Sequence, residues 1–261
     1  MMEFGPMMSL SFYDLDRTIT RHSTFTPFLL HVAWCEAKFR LAAIPLWLGA
    51  MLCYACGLFD RKTLKQFGFA MFIGRRVAPR RARKLASNFA DRFFNQHLQP
   101  GALESLEDDR RAGRRLILVT AAPEIYALEF GRRLGMHDVI ATRHCRDDDG
   151  AILNQIRGCN CHGKEKLSRT RTWLKRKRLA RTDCHIRVYS DDLSDAPLLN
   201  FADEALLVTA RSKLVNIARI RGWKPIDFAR TMISKPSTFK TQSGSRYICQ
   251  SYRSPLRRGL G

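Results

Sequence analysis

Asp14 and Asp16 close an apolar run in the string YDLDRTIT, residues 13–20, of a 261-residue chain whose formal net charge is +21. Side chains two apart on an extended chain point the same way, so Asp14, Asp16 and Thr18 share one face while Leu15 and Arg17 take the other. The run before them reads as a strand, and in a doubly wound sheet the carboxyl ends of the strands are where ligands bind. Three later strings repeat that placement. LILVTAAPEIY carries Thr120 between a second apolar run and a helical segment, where a hydroxyl and free backbone amides can hold a phosphoryl oxygen. CHGKEKLSRT puts Lys164 and Lys166 at the start of another helical segment, and VYSDDLSDAPLL gathers Asp191, Asp192 and Asp195 within five residues. Negative charge at that density is costly unless a cation neutralises it. Each feature alone has a plain structural use: Thr120 and the acidic cluster as helix caps, the lysines as solvated charge. Their joint occurrence at successive strand ends points to a site that handles a phosphoryl group beside a divalent ion.

The elements that must position these groups are legible as strand-like runs at 10–13, 116–119, 139–141, 186–189 and 205–208. Helical spacing fills 125–134, 164–178 and 213–221, and Gly135 and Gly222 supply stop signals. This alternation predicts an α/β fold, a Rossmann-like doubly wound parallel sheet. About a hundred residues separate the first two strands, far more than one crossover helix needs, so a helical subdomain is inserted there. The expected organisation is a core of 9–21 and 101–228, an insertion of 22–100, and a basic tail, 229–261, whose Ser, Lys, Arg and Gly content predicts disorder.

With 45% hydrophobic residues the chain can bury a substantial core. The stretch 1–8 contains Glu3, Gly5 and Pro6 rather than an apolar leader, so no secretion is expected. Eight irregularly spaced cysteines suit reduced thiols, which places the protein in the cytoplasm. Cys53 and Cys56 are expected as core thiols, and Cys159, Cys161 and His162 lack the second ligand pair of a zinc site. The positive charge draws the chain to polyanions, but no zinc finger, RNP string or helix-turn-helix signature appears, so no specific nucleic acid partner is expected. Residues 41–59 carry no charge, which leaves three readings open: a buried helix of the insertion, a monotopic hairpin or interfacial helix at a membrane surface, or a span.

The ordered set Asp14-x-Asp16-x-Thr18, Thr120, Lys166 and Asp191-x-x-x-Asp195 resembles the haloacid dehalogenase superfamily of hydrolases, in its phosphoserine-phosphatase-like branch, subfamily IB. YDLDRTIT, GCNCHGKEKL and YSDDLSDAPLL carry that likeness as whole strings, and it extends over 10–228. Arg17 departs from the glycine common in the wider superfamily, and Thr120 stands where serine is frequent. The resemblance implies a Mg2+-dependent phosphomonoester hydrolase with a helical cap inserted after the first motif. Asp14 would become an aspartyl phosphate, and Asp16 would protonate the leaving oxygen and then activate water. The ion would be held by Asp14, Asp191 and the carbonyl of Asp16, with Asp195 as a further ligand or just behind the ligands. Thr120 and Lys166 would balance the phosphoryl oxygens; Lys166 is preferred to Lys164 because the branch sets its lysine before an apolar helical residue, here Leu167. Thr18 and Ser194 are expected on the substrate side, Thr18 as support for the loop and Ser194 as a contact to the phosphate. The partner is a phosphorylated small molecule. The alternative is a lipid-linked phosphomonoester met at the inner face of the membrane, since the layout of 41–59 and its basic flanks is also similar to C-type phosphatidylglycerophosphatases. A receiver-type phosphoacceptor would share the Asp, Thr and Lys but lack the insertion and Asp191-x-x-x-Asp195.

Overall fold

Met8–Tyr13 is apolar or small on both faces and buried from Leu10 onward, as a strand in the middle of a parallel sheet must be. The computed structural model describes residues 7–229 and an antiparallel ribbon, Thr238–Lys240 with Arg246–Ile248; the rest of the expected disordered tail lies outside the described residues. The chain runs β1 (Met8–Tyr13), α1 (Phe25–Glu36), α2 (Ile44–Ala55), α3 (Arg61–Phe72), β2 (Arg76–Val77), α4 (Pro79–His97) and α5 (Pro100–Arg111). It continues through β3 (Arg115–Pro123), α6 (Glu124–Arg133), β4 (Asp138–Thr142), β5 (His144–Arg146), β6 (Ile152–Ile156) and α7 (Lys164–Arg176). It ends with β7 (Cys184–Ser190), α8 (Ala196–Leu199), β8 (Glu204–Val208), α9 (Ser212–Ile220) and β9 (Lys224–Ile226).

Six strands form one parallel sheet in the order β4-β3-β1-β7-β8-β9. Five are the predicted runs. The sixth, β9, escaped prediction because it is three residues long and contains Pro225, which an edge strand tolerates. Alternation along the strands feeds two cores. Leu10, Phe12, Ile117, Val119, Ile186 and Val188 face Trp173 and Leu174 of α7, while Tyr13, Leu116, Leu118 and Tyr189 join the opposite core with Tyr126 and Phe130 of α6. The chain passes from β1 to one side, through β3 and β4, and returns to the other side at β7. That reversal opens a crevice at the carboxyl end of β1.

The insertion between β1 and β3 is helical, and its two ends meet: Thr20 bridges Leu98, Arg21 N–H donates to the His97 carbonyl at 2.7 Å, and Gln99 N–H donates to that of Ile19 at 2.9 Å. Pro100, which reads as a turn signal in the sequence, instead begins α5 at a position where its missing N–H costs nothing. Aromatic rings join α4 to α6, with Phe89 centred 5.5 Å from Tyr126 and 5.8 Å from Phe130. A small antiparallel sheet, β2-β6-β5, adds a second seam, pairing Val77 with Ile152.

Residues 41–59 correct two of their three readings. They form the end of a 3-10 turn, Lys38–Ala43, then α2 and a closing turn; among the described residues no helix is long and apolar enough to cross a membrane. A buried helix fails too, because α2 turns only one face inward. Trp47 is 2% exposed, whereas Leu46 is 61% and Leu52 66% exposed. For the same reason Cys53 is half-buried and Cys56 exposed, so neither is a core thiol.

Candidate active site

The last ladder bond of β1 runs from Asp14 N–H to the Tyr189 carbonyl, 3.0 Å, and the chain then leaves the extended path. Asp16 has φ −66° and ψ 124°, and Arg17 has φ 58°, a left-handed conformation more natural to glycine. The strict alternation expected for Asp14, Asp16 and Thr18 therefore ends at Tyr13; a wide turn, not a strand, presents the later residues. Gln99 holds that turn by donating its side-chain amide to the carbonyls of Arg17 and Thr18 at 2.8 and 2.9 Å.

Asp14 is 7% exposed. Its Oδ1 accepts from Leu15 N–H at 2.7 Å, and its Oδ2 lies 2.8 Å from Lys166 Nζ. Lys166, 1% exposed on the first turn of α7, also donates to Asp195 Oδ2 at 2.6 Å. Lys164 is exposed, so the buried position is that of the preferred lysine. Burial works against the Lys166 ammonium, but the two carboxylates on it, Asp14 and Asp195, outweigh that and hold it above the ordinary lysine value. Burial pushes the Asp14 carboxyl up to about 8, against the pull of Lys166 and with the charges of Asp195 and Asp191 adding to the rise. Asp191 is likewise pushed up to about 6 by burial. One ammonium is too little positive charge for three carboxylates out of water.

That deficit is one a divalent cation fills, and the donors nearby are oxygens, which suit a hard ion such as Mg2+. Asp14, Asp191 and the main-chain carbonyl of Asp16 fit the role. Among the described residues no three His, Cys, Asp or Glu side chains converge as a ready metal cage, so the fit is to two carboxylates and a carbonyl. Of the two places expected for Asp195, as a ligand or just behind the ligands, its contacts fit the second: fully buried, its Oδ2 accepts from Lys166 and from Ser190 Oγ, the latter at 2.6 Å, and its Oδ1 from Gly163 N–H at 3.3 Å. Its oxygens are committed to positioning the lysine. Thr18 is fully buried and donates to Asp191 Oδ1 over a long 3.4 Å, tying the loop after β1 to that carboxylate. Ser194 is exposed on the rim, where its N–H donates to Asp192 Oδ1 at 2.9 Å and its carbonyl abuts Gly163.

Thr120 lies on β3, beside β1, two residues beyond the partner of Tyr13, and is fully buried. Its Oγ1 accepts from Ala122 N–H at 3.0 Å, which leaves the hydroxyl hydrogen free to donate. Asp16 is fixed from the insertion side: Oδ1 accepts from both the N–H and the hydroxyl of Thr24, at 2.8 and 2.7 Å, and that hydroxyl also meets Tyr126 Oη at 2.9 Å. Thr24, Tyr126 and Ser190 were not foreseen, although Thr24 sits where a helix N-terminus follows the acidic string, a readable cue. Lys65 was missed as well. It projects from α3 across to the core, donating to the Ala121 carbonyl at 2.5 Å and to Asn160 Oδ1 at 2.7 Å, and burial lowers its ammonium to about 8.

The family model described as haloacid dehalogenase-like hydrolase matches residues 12–200. The chain is 32% identical over 209 residues to protein CicA of Caulobacter vibrioides, covering 77% of this chain and 86% of that one. It is 27% identical over 236 residues to phosphoserine phosphatase SerB1 of Mycobacterium tuberculosis, covering 85% and 71%. The crystal structure of a protein with unknown function from Bordetella pertussis Tohama I superposes with a TM-score of 0.76 at 23% identity, covering 85% of this chain and 99% of that one, a likeness of fold. The carboxylates, the lysine and the threonine at the strand ends thus sit on a fold and a sequence that agree: the chain belongs to the haloacid dehalogenase-like hydrolases.

Proposed function

We propose that this enzyme is a Mg2+-dependent phosphomonoester hydrolase that works through an aspartyl phosphate on Asp14. The observation that carries the reading is the buried Asp14 carboxylate held by Lys166 at 2.8 Å where the strand order reverses. Asp14 attacks phosphorus, the bond to the leaving oxygen breaks, and Asp16 supplies that oxygen with a proton. Water then attacks phosphorus while Asp16 takes its proton, the bond from phosphorus to the Asp14 oxygen breaks, and inorganic phosphate leaves with Asp14 regenerated. The Lys166 ammonium and the Thr120 hydroxyl offset charge on the phosphoryl oxygens as it spreads. Asp14, Asp191 and the Asp16 carbonyl would hold Mg2+, which would supply the positive charge that lets substrate and carboxylates share one pocket. Thr24 keeps Asp16 aimed, and the insertion above it keeps water out.

The relative named phosphoserine phosphatase makes phosphoserine the first soluble substrate to try. A lipid-linked phosphomonoester is the second reading, supported by the apolar outer face of α2. The seven described cysteines are all free, which supports the reducing cytoplasm as the compartment. The test is a panel of soluble and lipid phosphomonoesters with Mg2+ and with EDTA, followed by trapping with labelled substrate. Turnover should require Mg2+, Asp16→Asn should accumulate acid-stable label, and Asp14→Asn should take none. Label on the Asp14→Asn protein would remove Asp14 as the nucleophile.

A further inference from the structure

A helix that faces water on one side carries polar residues there. Helix α2 does not. Its inner face is closed by Trp47, whose ring packs against Gly68 of α3 and lies edge-on to Phe72 at 6.1 Å. Its outer face presents Leu46, Leu48, Met51 and Leu52, each at least 40% exposed. Phe39 at one end and Leu58 at the other extend the same character, at 77% and 73% exposed. No charged residue interrupts the sequence from 41 to 59, and no acidic one occurs from 37 to 59. A water-exposed apolar surface of this continuity marks an interaction site.

The charge of the insertion that carries it decides the partner. Residues 22–100 contain twelve Lys and Arg against three Asp and Glu, and Lys38, Arg75, Arg80, Arg83 and Lys84 are exposed. Two copies brought together on this face would set like charges against each other, whereas a surface that is apolar within and anionic at its rim complements it. A bilayer containing acidic lipids has that profile. Length fixes the mode of contact: twelve residues of helix are about 18 Å long, short of the about 30 Å hydrocarbon layer, so α2 lies along the surface.

We propose that the outer face of α2, with Phe39 and Leu58, is an interfacial anchor that docks the insertion on an anionic lipid surface. The anchor concerns where the enzyme sits and is independent of which phosphomonoester it cleaves. The full-length chain would be sedimented with phosphatidylcholine vesicles, with and without phosphatidylglycerol, alongside a Leu46→Glu/Leu52→Glu variant whose fold is checked by thermal unfolding. Both leucines face solvent, so the variant should unfold at the parent's temperature. The parent should pellet with the anionic vesicles, and the variant should bind at least about tenfold more weakly. Equal binding by parent and variant would reduce the effect to adsorption of a basic protein and overturn the anchor. So would equal binding to neutral vesicles, a parent that stays in the supernatant, or a leucine-dependent dimer without vesicle binding.

Discussion

Replacing Thr24 by valine removes one hydroxyl and keeps the shape, which isolates how much of the chemistry depends on aiming Asp16. In the structure that hydroxyl lies 2.7 Å from Asp16 Oδ1, with the Thr24 N–H as the second donor at 2.8 Å. A hydrogen bond to a charged group contributes about 1.5–3 kcal/mol, so its loss should lower kcat about ten- to a hundredfold if Asp16 moves the proton in the slow step. The same change strands the buried Tyr126 hydroxyl, which sits 2.9 Å from Thr24 Oγ1, and should cost about 1–3 kcal/mol of stability. Tyr126→Phe separates the two effects: alone it should leave kcat close to the parent, and combined with Thr24→Val it should recover stability without recovering rate. Steady-state kinetics on any accepted phosphomonoester and thermal unfolding of the four proteins provide the readouts. A Thr24→Val enzyme with the parent's kcat would refute the idea that this threonine positions the proton-transfer group.

Lys166→Ala should abolish turnover, at least about a hundredfold, because it strips the ammonium from both Asp14 and Asp195, while Lys164→Ala on the exposed side of the same turn should match the parent in a kcat comparison. Gly163 has φ +58°, and a Cβ there would stand 3.2 Å from the Ser194 carbonyl, so Gly163→Ala should lower stability by about 1–2 kcal/mol in denaturant titration and weaken its bond to Asp195. His144 is 3% exposed, and burial lowers its pKa from 6.5 to about 4. The unfolded chain therefore takes up that proton first, so stability should be full above pH 6.5 and fall by about 3 kcal/mol in all as pH drops toward 4. His144→Phe should flatten that part of the stability–pH curve.

The parallel sheet was readable because its strands are buried on both faces and their apolar runs are uninterrupted, as in 116–119 and 186–189. Candidate site residues stand out where a residue type is costly without a partner, as for Asp14 and the aspartates after β7, whereas the choice of Lys166 over Lys164 comes from the family resemblance and not from the residues themselves. What the string could not carry was the division of labour among them. Asp195 and Asp191 are four residues apart and chemically alike, yet α8 begins at Ala196 and turns the first toward Lys166 and Ser190, a consequence of tertiary packing. Thr18 likewise depends on the turn at Arg17, which breaks the alternation that predicted its direction. The strands β2, β5 and β6 left little trace because they are short and half-polar; β5 and β6 pair with each other, and β2 exists only by pairing with β6 across the insertion boundary. Lys65 meets the core from inside the insertion, where no local pattern ties it to Ala121 and Asn160, far along the chain.

Lys65 has a kinetic consequence. Its stem belongs to the insertion while its ammonium rests on Ala121 and Asn160 of the core, so the two bodies cannot part without withdrawing a buried charge from both acceptors. Any motion that lifts α3 from Ala121 and Asn160 therefore breaks both bonds together, and Lys65→Met, which keeps the stem and removes the charge, should ease that separation.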